Sequence, residues 1–386
     1  MAKRISILGS TGSIGSQALE VISAFPEKVE VVALAAGNNI EKLAEQAKKF
    51  RPSLVSIRDH QKIPQLQGLI GDLSCQILAG EEGLLAVATH SQAQLVLSSL
   101  VGIAGLPPTL AALEAGRDVA LANKESLVTG GQLVRDAQMR GGGMLLPVDS
   151  EHSALFQAID GREREVEKLV LTASGGPFRN ATKADLAKVT VADALNHPNW
   201  QMGAKVTVDS ATMMNKGLEV IEAHWLFDTP YERIQVLVHP QSIVHSLVTL
   251  TDGSIMAQLA VADMRLPIAY ALSYPQRWPH VVPDLDLTQK PLSFQRPDPE
   301  LFPALGLALE AGKVGGGAPV VLNGANEVAV AAFLEEKLSY LGIAPVIEEA
   351  LAKLGGERSG SLDDVLALDR AARSIAKEII TNRKGG

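Results

Sequence analysis

Asp149, Glu151 and His152 crowd around a serine in "LPVDSEHSALF", residues 146–156. Read as extended chain, Val148 to Glu151 would place the two carboxylates on one face, two residues apart. Carboxylates so placed repel unless a cation lies between them or one keeps its proton. Hard oxygen donors suit Mg²⁺ or Mn²⁺. A pair alone chelates weakly, so a third ligand is expected from elsewhere. The Val-Asp-Ser triplet returns in "KVTVDSATMMNKGLEVIEAHW", residues 205–225, again after a strand-like run. Beyond it Asn215, Glu219 and Glu222 fall at i, i+4 and i+7 on one helix face. A capped, solvated helix would carry the same spacing.

Other polar residues suit an anion. Ser210, Asn215 and Lys216 could donate to a phosphate, as could Ser174 in "TASGGPF". A lysine taken alone is more often a surface group. Three histidines stand near these residues: His152 beside the carboxylates, His197 in "NHPNWQMG", and His245 in an expected strand. Each also has a plain structural reading. The loop around Trp200 is either a lid that closes on substrate or an ordinary loop with its indole docked on the core.

A second chemistry starts near the N-terminus. Gly9, Gly12 and Gly15 in "GSTGSIG" sit between an expected strand and an expected helix. Such a turn lets the backbone approach a pyrophosphate, whose charge rests on the helix's first amides. Thr11, Ser13 and Ile14 share the turn. The spacing is GxxGxxG, so a tight turn without a ligand stays open. The next strand ends "LAAGNNIEK", with Gly37, Asn38 and Asn39 where an NAD enzyme carries an acid for the ribose hydroxyl. Without that carboxylate a 2′-phosphate is accommodated, which favours NADPH over NADH.

Strands alternate with helices over the first 150 residues, which predicts an N-terminal Rossmann-like, doubly wound parallel sheet. Strands are expected at residues 5–8, in "VEVVALAAG", "LVSIRD", "QLVLSSL" and "DVALANK". The middle region predicts a central α/β catalytic domain with a partly antiparallel sheet, its hairpin turning at residues 251–254. Five prolines between Pro283 and Pro303 suggest an extended linker, followed by a C-terminal helical domain. The expected division is thus 1–150, 151–282, 283–303 and 304–386.

A 386-residue chain with 46% hydrophobic residues has material for more than one core. Its net charge of -8 argues against nucleic acid as a partner but not against a small anion. Cys75, the lone cysteine, can form no intrachain disulfide and no thiolate metal site. The uncharged stretch 95–113 is broken by glycines and Pro107-Pro108, so no membrane span is expected. The start lacks a signal-peptide pattern. The expected location is the cytoplasm.

The motifs "GSTGSIG", "ANKESLV", "PVDSEHSALFQ", "ASGGPF", "HPNWQMG", "VDSATMMNKGLE", "HPQSIVHS" and "LNGANEVAVAAFL" follow one another along the chain. In this order they resemble the 1-deoxy-D-xylulose 5-phosphate reductoisomerase family. The resemblance implies conversion of 1-deoxy-D-xylulose 5-phosphate with NADPH to 2-C-methyl-D-erythritol 4-phosphate, in the non-mevalonate isoprenoid pathway. It implies a divalent metal on Asp149, Glu151 and Glu219. It places the phosphorylated sugar against Lys124, Ser150, Glu151, Ser174, His197, Trp200, Ser210, Asn215, Lys216 and Glu219. NADPH would contact Thr11, Gly12, Ser13, Ile14, Gly37, Asn38, Asn39, Asn123, Glu125 and Gly203. Lys124, Glu151, His152, His197, Glu219 and His245 are the catalytic candidates, residues 194–204 a lid, and a homodimer the implied assembly. Some relatives have lysine where this chain has Asn38. Asp209 receives no role. Two rival readings are a metal-free NADP-dependent dehydrogenase of a phosphorylated aldehyde and a non-catalytic dinucleotide sensor.

Overall fold

The structure is a computed structural model and describes residues 2–200 and 202–384. The chain forms two compact units. Residues 1–126, 132–153 and 263–283 make the first, and residues 127–131, 154–262 and 284–386 the second.

In the first unit the strands are β1 (Lys3–Leu8), β2 (Val29–Ala35), β3 (Leu54–Ile57), β4 (Gln76–Ala79), β5 (Leu95–Ser98), β6 (Asp118–Leu121) and β7 (Leu145–Pro147). Between them run α1 (Ser13–Ala24), α2 (Ile40–Phe50), α3 (Ile63–Ile70), α4 (Gly80–Ala88), α5 (Leu106–Glu114) and α6 (Lys124–Gly141). The strands pair in parallel in the order β4-β3-β2-β1-β5-β6-β7. Their buried valines, leucines and isoleucines read as continuous apolar runs because helices cover such sheets on both faces. Strand order reverses between β1 and β5, the crevice where such sheets bind ligands. The sequence reading overlooked β4, a short edge strand whose Gln76 is exposed.

The helix α7 (Ser150–Ile159) begins in the first unit and continues into the second. In the second unit follow β8 (Val166–Ala173), α8 (Lys183–Leu186), α9 (Val191–Leu195), α10 (Ala204–Ala211), α11 (Met214–Phe227) and β9 (Ile234–Val238). The strands β10 (Val244–Leu250) and β11 (Ile255–Leu259) complete a sheet ordered β11-β10-β8-β9. β8 and β9 run parallel while β10 is antiparallel to both its neighbours, which makes the sheet mixed. Gly253, at φ +87, turns the expected hairpin. Leu155 of α7 and Val220 and Ala223 of α11 pack on Leu169, Leu171 and Val248 of this sheet.

The helix α12 (Arg265–Ser273) returns to the first unit and packs on α1 and β7. Residues 284–302 run without a helix and meet the second sheet through a Val238–Gln295 bridge. The tail is helical as expected: α13 (Pro303–Val314), α14 (Ala318–Leu334), α15 (Ile343–Leu354) and α16 (Leu362–Lys384). A Cβ on Gly217 would lie 2.3 Å from that of Ala308, so this glycine lets α11 approach α13 closely. Compact packing therefore groups the tail with the central sheet in one unit. Among the described residues no helix is long and apolar enough to cross a membrane.

Candidate functional site

The glycine turn is held by backbone pairing. The amides of Gly9 and Ser10 both donate to Ala35 O, at 2.8 and 2.9 Å, which sets the turn beside the end of β2. Gly9 has φ +84, and a Cβ there would lie 2.7 Å from Ser99 O. A Cβ on Gly15 would lie 2.4 Å from Gly9 O. Gly12 precedes α1 in extended conformation and no side chain caps the helix. Its first amides and the bare backbone around them make a cradle for an anion. A dinucleotide pyrophosphate fits that donor set.

At the end of β2 a Cβ on Gly37 would meet nothing within 4 Å, so the position is open. Asn39 caps α2, its Oδ1 accepting from Lys42 N at 3.0 Å. A backbone amide and one cation close this corner. Arg58 N donates to Gly37 O at 3.1 Å, and Lys62 Nζ donates to Asn38 O at 3.2 Å.

Asn123 is committed to its own loop. Its Nδ2 donates to Leu100 O at 3.0 Å, Gly102 O at 3.1 Å and Glu125 Oε2 at 2.9 Å. Ser126 Oγ donates to its Oδ1. Lys124 Nζ lies 2.5 Å from Asp149 Oδ2, with both side chains largely buried. Asp149 also accepts from Ser150 N at 2.9 Å, and Ser150 Oγ donates to Glu151 Oε2 at 2.5 Å. The expected extended face is corrected here: α7 starts at Ser150, so Glu151 lies in its first turn. A strand-to-helix corner, not alternation along a strand, gathers the two carboxylates. His152 is fully buried.

The second unit assembles its groups from separate elements. Ser174 follows β8, and Gly175 and Gly176 have φ +79 and +63. A Cβ on Gly176 would lie 2.7 Å from Ser210 O, so the turn abuts the end of α10. His197 Nδ1 accepts from Asn199 N at 3.2 Å and Trp200 N at 2.9 Å. Its proton therefore sits on Nε2, which donates to Ser174 Oγ at 2.9 Å. Gly176 N donates to the same oxygen at 3.1 Å, leaving the Ser174 hydroxyl hydrogen for a ligand. Burial lowers the His197 pKa, helped by the charge of Arg179. Asn199 Nδ2 donates to Pro240 O at 2.7 Å and Ser242 Oγ at 2.8 Å. The Trp200 ring lies 6.2 Å from that of His245, which is itself buried. Gln201, in the expected lid, lies outside the described residues.

The second Val-Asp-Ser triplet is not a strand end. It lies inside α10, where Thr207, Val208, Asp209 and Ala211 are buried and tertiary packing overrides their β-branched preference. Gly203 precedes this helix with open space at its Cβ position. Met213, at φ +59, turns the chain into α11. There Asn215 Nδ2 donates to Glu219 Oε1 at 2.5 Å, and Lys216 Nζ donates to Glu219 Oε2. Lys216 is 4% exposed, Glu219 1% and Glu222 0%. Those figures remove both the solvated helix and the surface lysine.

Three descriptions of one family match in chain order. "1-deoxy-D-xylulose 5-phosphate reductoisomerase" covers residues 5–131, and its C-terminal domain descriptions cover 145–227 and 259–375. The protein of that name from Chloroherpeton thalassium is 54% identical over 373 residues, 96% of each chain. The one from Trichlorobacter lovleyi is 52% identical over 100% of this chain and 99% of its own. The chain belongs to the 1-deoxy-D-xylulose 5-phosphate reductoisomerase family. A Zymomonas mobilis reductoisomerase solved with NADPH superimposes with a TM-score of 0.93 at 43% identity, over 98% of this chain and 99% of that one. Another, solved with NADPH, fosmidomycin and magnesium, gives 0.94 at 41% identity over 100% of both. Beside the end of β2 the sequence alone does not single out Arg58 and Lys62. Their signal was available: in a parallel sheet the chain after β3 emerges beside the end of β2.

Proposed function

We propose that this chain rearranges and reduces 1-deoxy-D-xylulose 5-phosphate to 2-C-methyl-D-erythritol 4-phosphate, using NADPH and a divalent cation, in the non-mevalonate isoprenoid pathway. The observation that carries the reading is the pair of buried carboxylate–ammonium contacts, Lys124 on Asp149 and Lys216 on Glu219. A purely structural fold gains little from such pairs, because desolvation offsets their attraction. Family membership and the NADPH and magnesium in the relatives' structures support it further.

Asp149, Glu151 and Glu219 would hold the cation; their hard oxygen donors fit Mg²⁺ or Mn²⁺. The cation supplies Lewis-acid stabilisation of negative charge on the substrate's oxygens during the carbon shift. Bound on the glycine turn, NADPH supplies the hydride that reduces the rearranged aldehyde. Ser174, Ser210, Asn215 and Lys216 receive the phosphate, with His197 fixing the Ser174 hydroxyl. Ser150 orients Glu151, while Lys124 moves between Asp149 and the substrate. Residues 194–204 close over the substrate with Trp200, excluding water from the aldehyde. His152 and His245, both buried, orient their neighbours. Arg58 and Lys62 add positive charge for the 2′-phosphate beside Asn38.

The reading includes a homodimer in the cytoplasm. The edge strand β11 exposes Ile255 (60%) and Met256 (39%), an apolar border suited to a second copy. The lone thiol Cys75 suits a reducing compartment. The deciding experiment follows NADPH oxidation with 1-deoxy-D-xylulose 5-phosphate before and after EDTA. Loss on chelation and recovery with Mg²⁺ or Mn²⁺ is expected. Activity that survives chelation would favour the metal-free dehydrogenase, and NADPH binding without turnover the sensor.

A further inference from the structure

Asp209 is a buried carboxylate, 1% exposed, that neither the cation nor the phosphate reading uses. Lys205 Nζ lies 2.9 Å from its Oδ2. Asn326 Nδ2 donates to its Oδ1 at 2.8 Å. Asn326 belongs to α14 of the tail, fully buried and 117 residues away in sequence. Two residues on, Ala211 O accepts from Tyr340 Oη at 2.8 Å. Ser210 stands between these two anchors. Its own carbonyl is approached by the Gly176 turn that carries Ser174.

The same corner leads into α11. Thr212 Oγ1 donates to Asp209 O at 3.2 Å and accepts from Met214 N at 3.3 Å. Met213 holds its left-handed conformation between them. Well-packed apolar groups would hold α10 against α14 at least as firmly as a buried carboxylate does. What a directional hydrogen bond adds is a fixed rotation and axial position of α10, hence of the Ser210 side chain.

We propose that Asp209 is a positioning residue through which the C-terminal helices set Ser210, and the α11 residues after it, for the substrate phosphate. The inference rests on the reading of Ser210, Asn215 and Lys216 as phosphate ligands. The tail is then part of the substrate-binding apparatus, acting through Asn326 and Tyr340. Neither residue need touch substrate.

The test is steady-state kinetics of the full-length enzyme at saturating NADPH and Mg²⁺, with melting curves for each variant. Asp209→Leu and Asn326→Leu should each raise KM for 1-deoxy-D-xylulose 5-phosphate roughly tenfold. The KM for NADPH should stay at the wild-type value. Asp209→Asn keeps an acceptor for Asn326 and should hold the substrate KM within about threefold. Tyr340→Phe keeps the ring, loses only the hydroxyl, and should raise the same KM about threefold if the leucine variants fail to fold. Unchanged substrate KM in folded Asn326→Leu or Tyr340→Phe, with Ser210→Ala raising it, would overturn the inference alone. Unchanged KM in Ser210→Ala would overturn the phosphate reading beneath it.

Discussion

The glycine turn of the first unit and the proposed phosphate cluster of the second would take anions by opposite means. In the turn the donors are backbone amides fixed by β1, β2 and β5, while Ser13 points to solvent. In the cluster they are side chains from the β8 turn, the 196–203 loop, α10 and α11. A backbone cradle should tolerate changed side chains but no added Cβ. A side-chain cluster should show the reverse, and its buried charges make each member matter for folding as well as for binding.

The largest effect should come from the proposed cation ligands. Lewis-acid stabilisation contributes several kcal/mol to a transition state, so Asp149→Asn or Glu219→Gln should lower kcat roughly a thousandfold or more. NADPH affinity, read by fluorescence titration, should hold within about threefold, since the glycine turn is unaltered. A variant with wild-type turnover and metal affinity would remove that residue from the ligand set.

Lys216→Ala should lower kcat/KM about ten- to a hundredfold, the value of one charge-assisted hydrogen bond in a shielded site. Loss of a surface lysine would hardly move Tm. Burial of Lys216 and Glu219 reverses this expectation, because breaking a buried pair costs about 3–5 kcal/mol. Tm should therefore fall, and Mg²⁺ should restore part of it by supplying the lost positive charge. A Tm unchanged both with and without Mg²⁺ would show that the ammonium does not hold α11.

The opposite behaviour is expected in the first unit. Gly15→Ala, whose Cβ would meet Gly9 O, should weaken NADPH binding at least about tenfold. Ser13→Ala should change it less than about threefold. Equal effects from the two would break the contrast between a backbone site and a side-chain site.

Legibility in the sequence follows the same divide. The parallel sheet, the hairpin at Gly253 and the helical tail were readable because apolar periodicity and glycine turns are local signals. The second Val-Asp-Ser triplet misled because "KVTVDS" has the composition of a strand, yet α10 takes it, its Asp209 and Ala211 hydrogen-bonded to the tail. Glu219 and Lys216 had the right spacing, but only burial distinguishes a buried ion pair from a solvated one. Asn326 and Tyr340 were invisible because long-range packing, not neighbours in sequence, gives them their partners.

Cofactor choice offers a smaller test. Asn38→Asp places negative charge where the 2′-phosphate is expected, and Lys62→Ala removes a cation beside it. Each should lower the NADPH-to-NADH ratio of kcat/KM about three- to tenfold, the scale of one partly exposed charge. A ratio unaffected by both changes would move the 2′-phosphate elsewhere.

The smallest effect concerns protonation of His197. Its pKa lies below the ordinary 6.5, chiefly through burial and secondarily through Arg179. The folded protein thus binds this proton less readily than the unfolded chain does. Its stabilising contribution is complete above the unfolded value and is lost as pH falls through the lower folded one. Protonation puts a hydrogen on Nδ1, which then no longer accepts from Asn199 N and Trp200 N, and the loop loses that anchor. NMR titration should place the His197 midpoint below 6.5, with kcat/KM flat through that pH and falling only under it. Arg179→Gln keeps a donor for Gly176 O but drops the charge, so the midpoint should rise without reaching 6.5, because burial remains. Turnover at neutral pH should stay unchanged. A midpoint that ignores Arg179→Gln would leave burial as the sole cause, and one above 6.5 in the wild type would show that the loop stabilises the imidazolium and overturn both causes.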